Sequence, residues 1–198
     1  YGAGHSTSGF IVTSRKKRTP SKVYIATGSN IVPGSTEDQD SYRAELGGVM
    51  GVIVTLAVIC SLHKVLSGSI EIGLDGEEAM NSIFAEGEPK VDAAAYDMIT
   101  DIRRKILSLP IKVTGRHFKG HQDKEVHRSS LDRWVNLDID MDEKGKARLA
   151  RVLLTKQPFL NQPFGNETVT VRYRGQKLTR LNQDCPLYTT DAADQLLS

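Results

Sequence analysis

The sequence predicts an α/β domain with a mixed central sheet flanked by helices. Three observations predict it. Two early runs alternate like half-buried strands, and a third alternating run (Ile70, Ile72, Leu74) follows a long apolar segment. Other segments repeat apolar residues at helical spacing. Strand, helix, strand in that order fits a crossover unit, the connection that parallel strands need.

The opening strands are "SGFIVTS" (8–14) and "KVYIATG" (22–28). In the second, Val23 and Ile25 alternate with Tyr24 and Ala26. The basic run "RKKRTPS" between them reads as a solvated hairpin connection. "GSNIVPGSTEDQDS" is turn-rich, and Asp40 or Ser41 at its end can cap a helix. In that helix Ala44, Gly47, Gly48 and Gly51 fall at i, i+3, i+4 and i+7. This face of small residues lets the backbone approach a sheet, with Val49, Ile53, Leu56 and Ile59 filling neighbouring sectors. Each helical glycine costs roughly 1 kcal/mol against alanine, so close packing has to offset it. Leu46–Leu62 carries no charge, at the short edge of what spans a bilayer. Its glycines, Thr55, Cys60 and Ser61 dilute it, so a buried core helix is the better reading.

"SIEIGLDG" (69–76) is a strand ending at Asp75-Gly76, and "EEAMNSIF" (77–84) a short helix. "DAAAYDMITDIRRKILS" (92–108) is a longer helix with Asp92 as N-cap and a stripe of Ala95, Ile99, Ile102 and Ile106. Its late basic residues Arg103, Arg104 and Lys105 suit the helix dipole, and Pro110 stops it. "IKVTGRHFKGH" (111–121) is the last strand and runs into a polar loop. A helix from about Asp138 to Leu153 closes the main domain, 1–153. Residues 154–184 form an extension with a possible hairpin in "TVTVRYRGQKLTR". The tail, 185–198, contains "CPLYTTDAAD", which resembles a translated sequencing adapter and is expected to be non-native.

The totals narrow the function. A chain of 198 residues, 39% hydrophobic and 25% charged, fits one soluble globular domain with an appendage. A formal net charge of +2 offers no global basic excess, so nucleic-acid binding has to rest on local patches. Two cysteines, Cys60 and Cys185, make no disulfide framework and suit a reducing compartment.

Acids stand at the ends of elements. Glu45 heads a helix, Asp75 ends a strand, and Asp138, Asp140 and Asp142 follow at two-residue steps. Carboxylates converging from different elements can hold hard divalent ions, which activate water for phosphodiester hydrolysis. Taken singly, Glu45 also reads as a dipole partner, Asp75 as a turn residue and the late cluster as a solvated helix start. No His/Cys spacing suggests zinc. Trp134 reads as a helix-packing residue.

Together, "SYRAELGGVMGV", "IGLDGEEA", "RHFKGHQD" and "LDIDMDEKGKA" resemble, in order and rough spacing, the ribonuclease H family. The likeness is to the domains attached to retroelement reverse transcriptases, and it covers about residues 1–150. It implies an endonuclease that hydrolyses the RNA strand of RNA/DNA hybrids with two Mg²⁺ ions, Mn²⁺ being able to substitute. By resemblance Glu45, Asp75 and Asp142 are metal ligands, with Asp140 the fallback for Asp142, and His121 assists proton transfer or product departure. Asp138 takes the place usually held by an Asn. Arg43, Arg116 and Lys119 are the expected nucleic-acid contacts. The implied partners are the hybrid and the reverse transcriptase domain of the same polyprotein, with no membrane, inside an intracellular retroelement replication complex.

One departure stands out. The family's first ligand is an Asp shortly before a Gly-aromatic pair, here Gly9-Phe10, yet no acid occurs from Tyr1 to Thr36. The opening strand is expected to lie upstream of Tyr1, leaving this chain impaired. The alternative is a non-catalytic connection or hybrid-binding module of a reverse transcriptase.

Overall fold

The computed structural model describes residues 5–14, 24–34, 38–120, 122, 126–156, 172–173 and 176–177. The expected basic hairpin connection, His121 and the 185–198 tail lie outside them.

Strands β1 (Thr7–Thr13) and β2 (Tyr24–Ile31) pair antiparallel, from Thr7 opposite Ile31 to Val12 opposite Ala26. β2 continues past its expected end through Ser29, Asn30 and Ile31. Asn30 is turn-prone, but its side chain is bonded on both sides. Its Oδ1 accepts from Ser8 Oγ at 2.8 Å and its Nδ2 donates to the Gly47 carbonyl at 3.4 Å.

Helix α1 (Ser41–Leu62) starts where expected, with Asp40 accepting from the Arg43 N–H at 2.7 Å. Its small-residue face meets the first sheet. A Cβ on Gly48 would lie 3.1 Å from the Gly9 carbonyl oxygen, and one on Gly51 2.6 Å from the Phe10 ring. Leu46, Val49, Ile53 and Leu56 are buried in a core shared with Ile72, Leu74, Met98, Ile99 and Ile102. By length and composition alone this helix is apolar enough to cross a membrane. Here its buried side packs against strands and helices.

Strand β3 (Ser69–Leu74) leads into α2 (Glu77–Phe84), α3 (Tyr96–Ser108) and β4 (Lys112–His117). β4 pairs with β3 in parallel, Ser69 opposite Lys112 and Leu74 opposite His117. Ile72 and Leu74 face the core, while Gly115 leaves room for Met80 and Phe84 of α2. Asp92 does not cap α3. The chain makes turns from Lys90 to Ala95, which takes the left-handed conformation (φ 54°), and the helix begins after it.

Helix α4 (Arg133–Thr155) begins more than a turn before the expected Asp138. Asp132 caps it, accepting from the N–H groups of Trp134 (2.7 Å) and Val135 (3.0 Å). α4 covers the face of β1 opposite α1. Gly9 makes this possible, since a Cβ there would stand 2.5 Å from the Met141 carbonyl oxygen. Thr7 Oγ1 adds a 2.8 Å bond to the Gly145 carbonyl.

The α/β class therefore holds, but the expected single mixed sheet does not. Among the described residues β1–β2 and β3–β4 are separate two-stranded sheets, because β1 and β3 do not pair with each other. Helix α1 serves both. A short antiparallel ladder, β5 (Arg172–Tyr173) with β6 (Gln176–Lys177), falls within the expected hairpin.

Candidate carboxylate site

Glu45 lies in the first turns of α1, close to the end of β3. Its carboxyl packs on the Cα of Gly76: a Cβ there would overlap Glu45 Oε2 and stand 2.5 Å from its Cδ. Gly76 directly follows Asp75, so the α1 acid and the β3 acid become neighbours. On the far side, Gly120 packs on Asp75, and a Cβ at Gly120 would lie 2.5 Å from Asp75 Oδ2. His117 also reaches this corner, its Nε2 lying 3.1 Å from the Asp75 carbonyl oxygen. His121 is bonded to Gly120 in the chain but lies outside the described residues.

The third acid is Asp138. Burial first, then the charges of Asp75, Asp138, Asp40 and Glu78, together lift the Glu45 carboxyl to about 7. Carboxylates from α1, β3 and α4 thus sense one another. Asp138 is 9% exposed, on the inward face of α4.

This revises the expected ligand set. Asp142 does not join the group: it is 49% exposed and binds Lys146 Nζ at 2.7 Å, one turn further along α4. The fallback Asp140 is buried and ion-paired with Arg128, whose Nε also donates to Asn136 Oδ1 at 3.2 Å. Val135 and Asp138, three residues apart, lie on one buried face of α4, and Asp142 lies one turn beyond them. The early start of the helix was signalled by "LDRW", since Asp is a favoured cap immediately before a helix.

Arg43 is a second correction. It is 1% exposed and grips Asp97 with two bonds of 2.9 Å, while its Nε donates to the Pro33 carbonyl at 2.8 Å. It ties α1 to α3 and cannot meet a ligand. Arg116 and Lys119 are exposed beside the acids. The Arg116 guanidinium lies 5.6 Å from the Trp134 ring centre, and Phe118 stacks on that ring at 6.2 Å. Trp134 itself seats on Gly73, where a Cβ would come 2.5 Å from its Cζ3.

The donors are hard oxygens, the chemistry Mg²⁺ prefers. Among the described residues, no group of three or more His, Cys, Asp or Glu side chains is arranged to hold a metal ion. The carboxylates are neighbours without forming a finished cage. No protein-family model, curated protein or solved structure was found to match the chain.

Proposed function

We propose that this chain is a ribonuclease H-like nuclease domain of a retroelement polyprotein, acting on the RNA strand of RNA/DNA hybrids. The observation that carries the reading is the approach of Glu45, from a helix, to the strand end at Asp75-Gly76, with Asp138 on a second helix near enough for its charge to raise the Glu45 carboxyl. Glu45 is half-buried, and that burial first, with the neighbouring carboxylates adding to it, pushes its carboxyl up to about 7, a costly arrangement for a structural acid. The oxygen donors fit Mg²⁺, with Glu45, Asp75 and Asp138 as the residues that would hold it. When bound, the ion supplies water activation and charge stabilisation at the leaving oxygen.

The chain's own residues supply the rest. Gly76 and Gly120 set the Glu45 and Asp75 side chains by close backbone approach. Arg116 and Lys119 offer positive charge to a phosphate beside the acids. A strand between β1 and β3 would join the two sheets into one, which is where the reading puts the family's first carboxylate.

The second reading is a module that binds hybrids without cutting them. It is favoured by β1, "TSGFIVT", which brings no acid to the centre. One assay separates the two. The chain is incubated with an end-labelled RNA/DNA hybrid and Mg²⁺ or Mn²⁺, with duplex DNA as control. RNA-strand cleavage that disappears in Glu45→Gln and Asp75→Asn supports the nuclease, and weak cleavage is expected. Hybrid binding with no cleavage supports the module. A chain that neither binds nor cuts the hybrid refutes both.

A further inference from the structure

The face of the second sheet that points away from α1 carries Glu71, Gly73, Arg116 and Phe118. Gly73 sits opposite Arg116 in the β3–β4 register, so their neighbours share that face. Trp134 of α4 covers it, seated on Gly73 and touching both Arg116 and Phe118. Trp134 and Phe118 are only partly buried, and Arg116 is 52% exposed. Its ion pair with Glu71 is long, 3.9 Å, and holds the guanidinium loosely. Packing alone would be satisfied by an aliphatic residue on Gly73. It does not account for two aromatic rings and a cation kept at the surface.

The position of this cluster gives it a role. Trp134 lies four residues before Asp138, one turn away on the same side of α4. Gly73 lies two residues before Asp75, and the Phe118 N–H donates to the Leu74 carbonyl at 3.1 Å. The cluster, built from α4, β3 and the end of β4, therefore borders Asp138 and Asp75. Lys119, also exposed, adds a second positive charge on its rim.

We propose that Trp134, Phe118 and Arg116 form a stacking platform for an unpaired nucleobase in a single-stranded segment that adjoins the bound hybrid. The base stacks on the guanidinium–indole pair, and Arg116 and Lys119 hold the adjacent phosphate. Bases stack on aromatic rings and on Arg guanidinium planes, and contacts of this kind tolerate any sequence. Charge complementarity supports a nucleic acid as the occupant: cations flank the rings, while the acids stay at the centre next door. The proposal rests on the hybrid-acting reading above and names where that substrate is held.

Trp134 is the only tryptophan of the chain, so its emission reports on this site alone. The full chain, in buffer with EDTA, is titrated with a short RNA/DNA hybrid that carries a single-stranded overhang. Binding is followed in parallel by anisotropy of an end-labelled copy. Quenching of Trp134 that saturates with the anisotropy change is expected. Trp134→Leu weakens binding about 5- to 100-fold, as loss of a base-stacking contact does, while Trp134→Phe stays within about threefold. Arg116→Gln, at an exposed position, keeps the fold and lowers the salt dependence by about one phosphate contact. Circular dichroism checks the fold of each variant. If Trp134→Leu does not fold, the quenching and the Arg116→Gln titration still decide. Binding with unchanged Trp134 emission and an Arg116→Gln affinity equal to wild type overturns the platform and leaves the hybrid reading standing. Absence of any hybrid binding overturns both.

Discussion

The carboxyl of Glu45 rests directly on the Cα of Gly76, and a methyl group on that carbon would occupy its space. Gly76 has φ −82°, which alanine adopts freely, so the conflict is only with Glu45. Glu45 sits at the free end of a flexible side chain and can swing away. Gly76→Ala is therefore expected to leave the thermal midpoint nearly unchanged. It should weaken Mn²⁺ binding, read by calorimetry, about 10- to 100-fold, the cost typical of disturbing ligand support. Unaltered Mn²⁺ affinity would show that Glu45 does not ligate.

The helix acid is decided by titration. Asp138 is among the charges that raise Glu45, and Asp142 is not. In a carbon-detected NMR titration, Asp138→Asn should bring the Glu45 carboxyl down from about 7, while Asp142→Asn leaves it in place. The reverse pattern would return Asp142 to the site.

Stability should depend on pH through the same carboxyl. Folding raises Glu45 from 4.5 to about 7, so between those values the folded chain keeps a proton that the unfolded chain has released. The contribution of this group is complete below pH 4.5 and is lost as pH rises through about 7. Glu45→Gln stays neutral throughout. Its urea midpoint should therefore rise relative to wild type from pH 4.5 to pH 8. A difference that stays flat with pH contradicts the assignment.

Arg43 should matter for stability and not for ligand binding. Arg43→Met takes both guanidinium bonds from Asp97, only 6% exposed, and a broken buried pair costs about 3–5 kcal/mol. The double variant Arg43→Met/Asp97→Leu removes both charges and should recover most of that loss in urea unfolding. Hybrid affinity of the double variant should equal wild type. A selective drop in affinity would put Arg43 back among the contacts.

Much of this arrangement can be read from the residues. Alternation located the strands, and the i, i+3, i+4, i+7 glycines of α1 announced a helix pressed against a sheet, where Gly48 now meets Gly9. Glu45 and Asp75 each stood out at the end of an element, but only the family resemblance joined them, since their ends of α1 and β3 meet through packing that local pattern does not encode. The start of α4 was not read correctly, because Asp132 competed as a cap with the more conspicuous acid cluster behind it. Asp138 and Asp142 are four residues apart and share a side of α4, so spacing alone could not say which of them approaches Glu45. Arg43 misled for a different reason. A side chain beside an acid in sequence looks available to a phosphate, yet its partner Asp97 comes from a distant helix that periodicity cannot locate. The division of the sheet was equally invisible, since local pattern specifies strands and not which of them exchange hydrogen bonds.

That division has a mechanical consequence. Asp75 belongs to the ribbon β3–β4, whereas Asp138 rides on α4, which is clamped to the ribbon β1–β2 at Gly9 and Thr7. Among the described residues no ladder joins the two ribbons. The spacing of Asp75 and Asp138 is therefore set by what spans the ribbons, α1 through the shared core and Trp134 of α4 through its seat on Gly73.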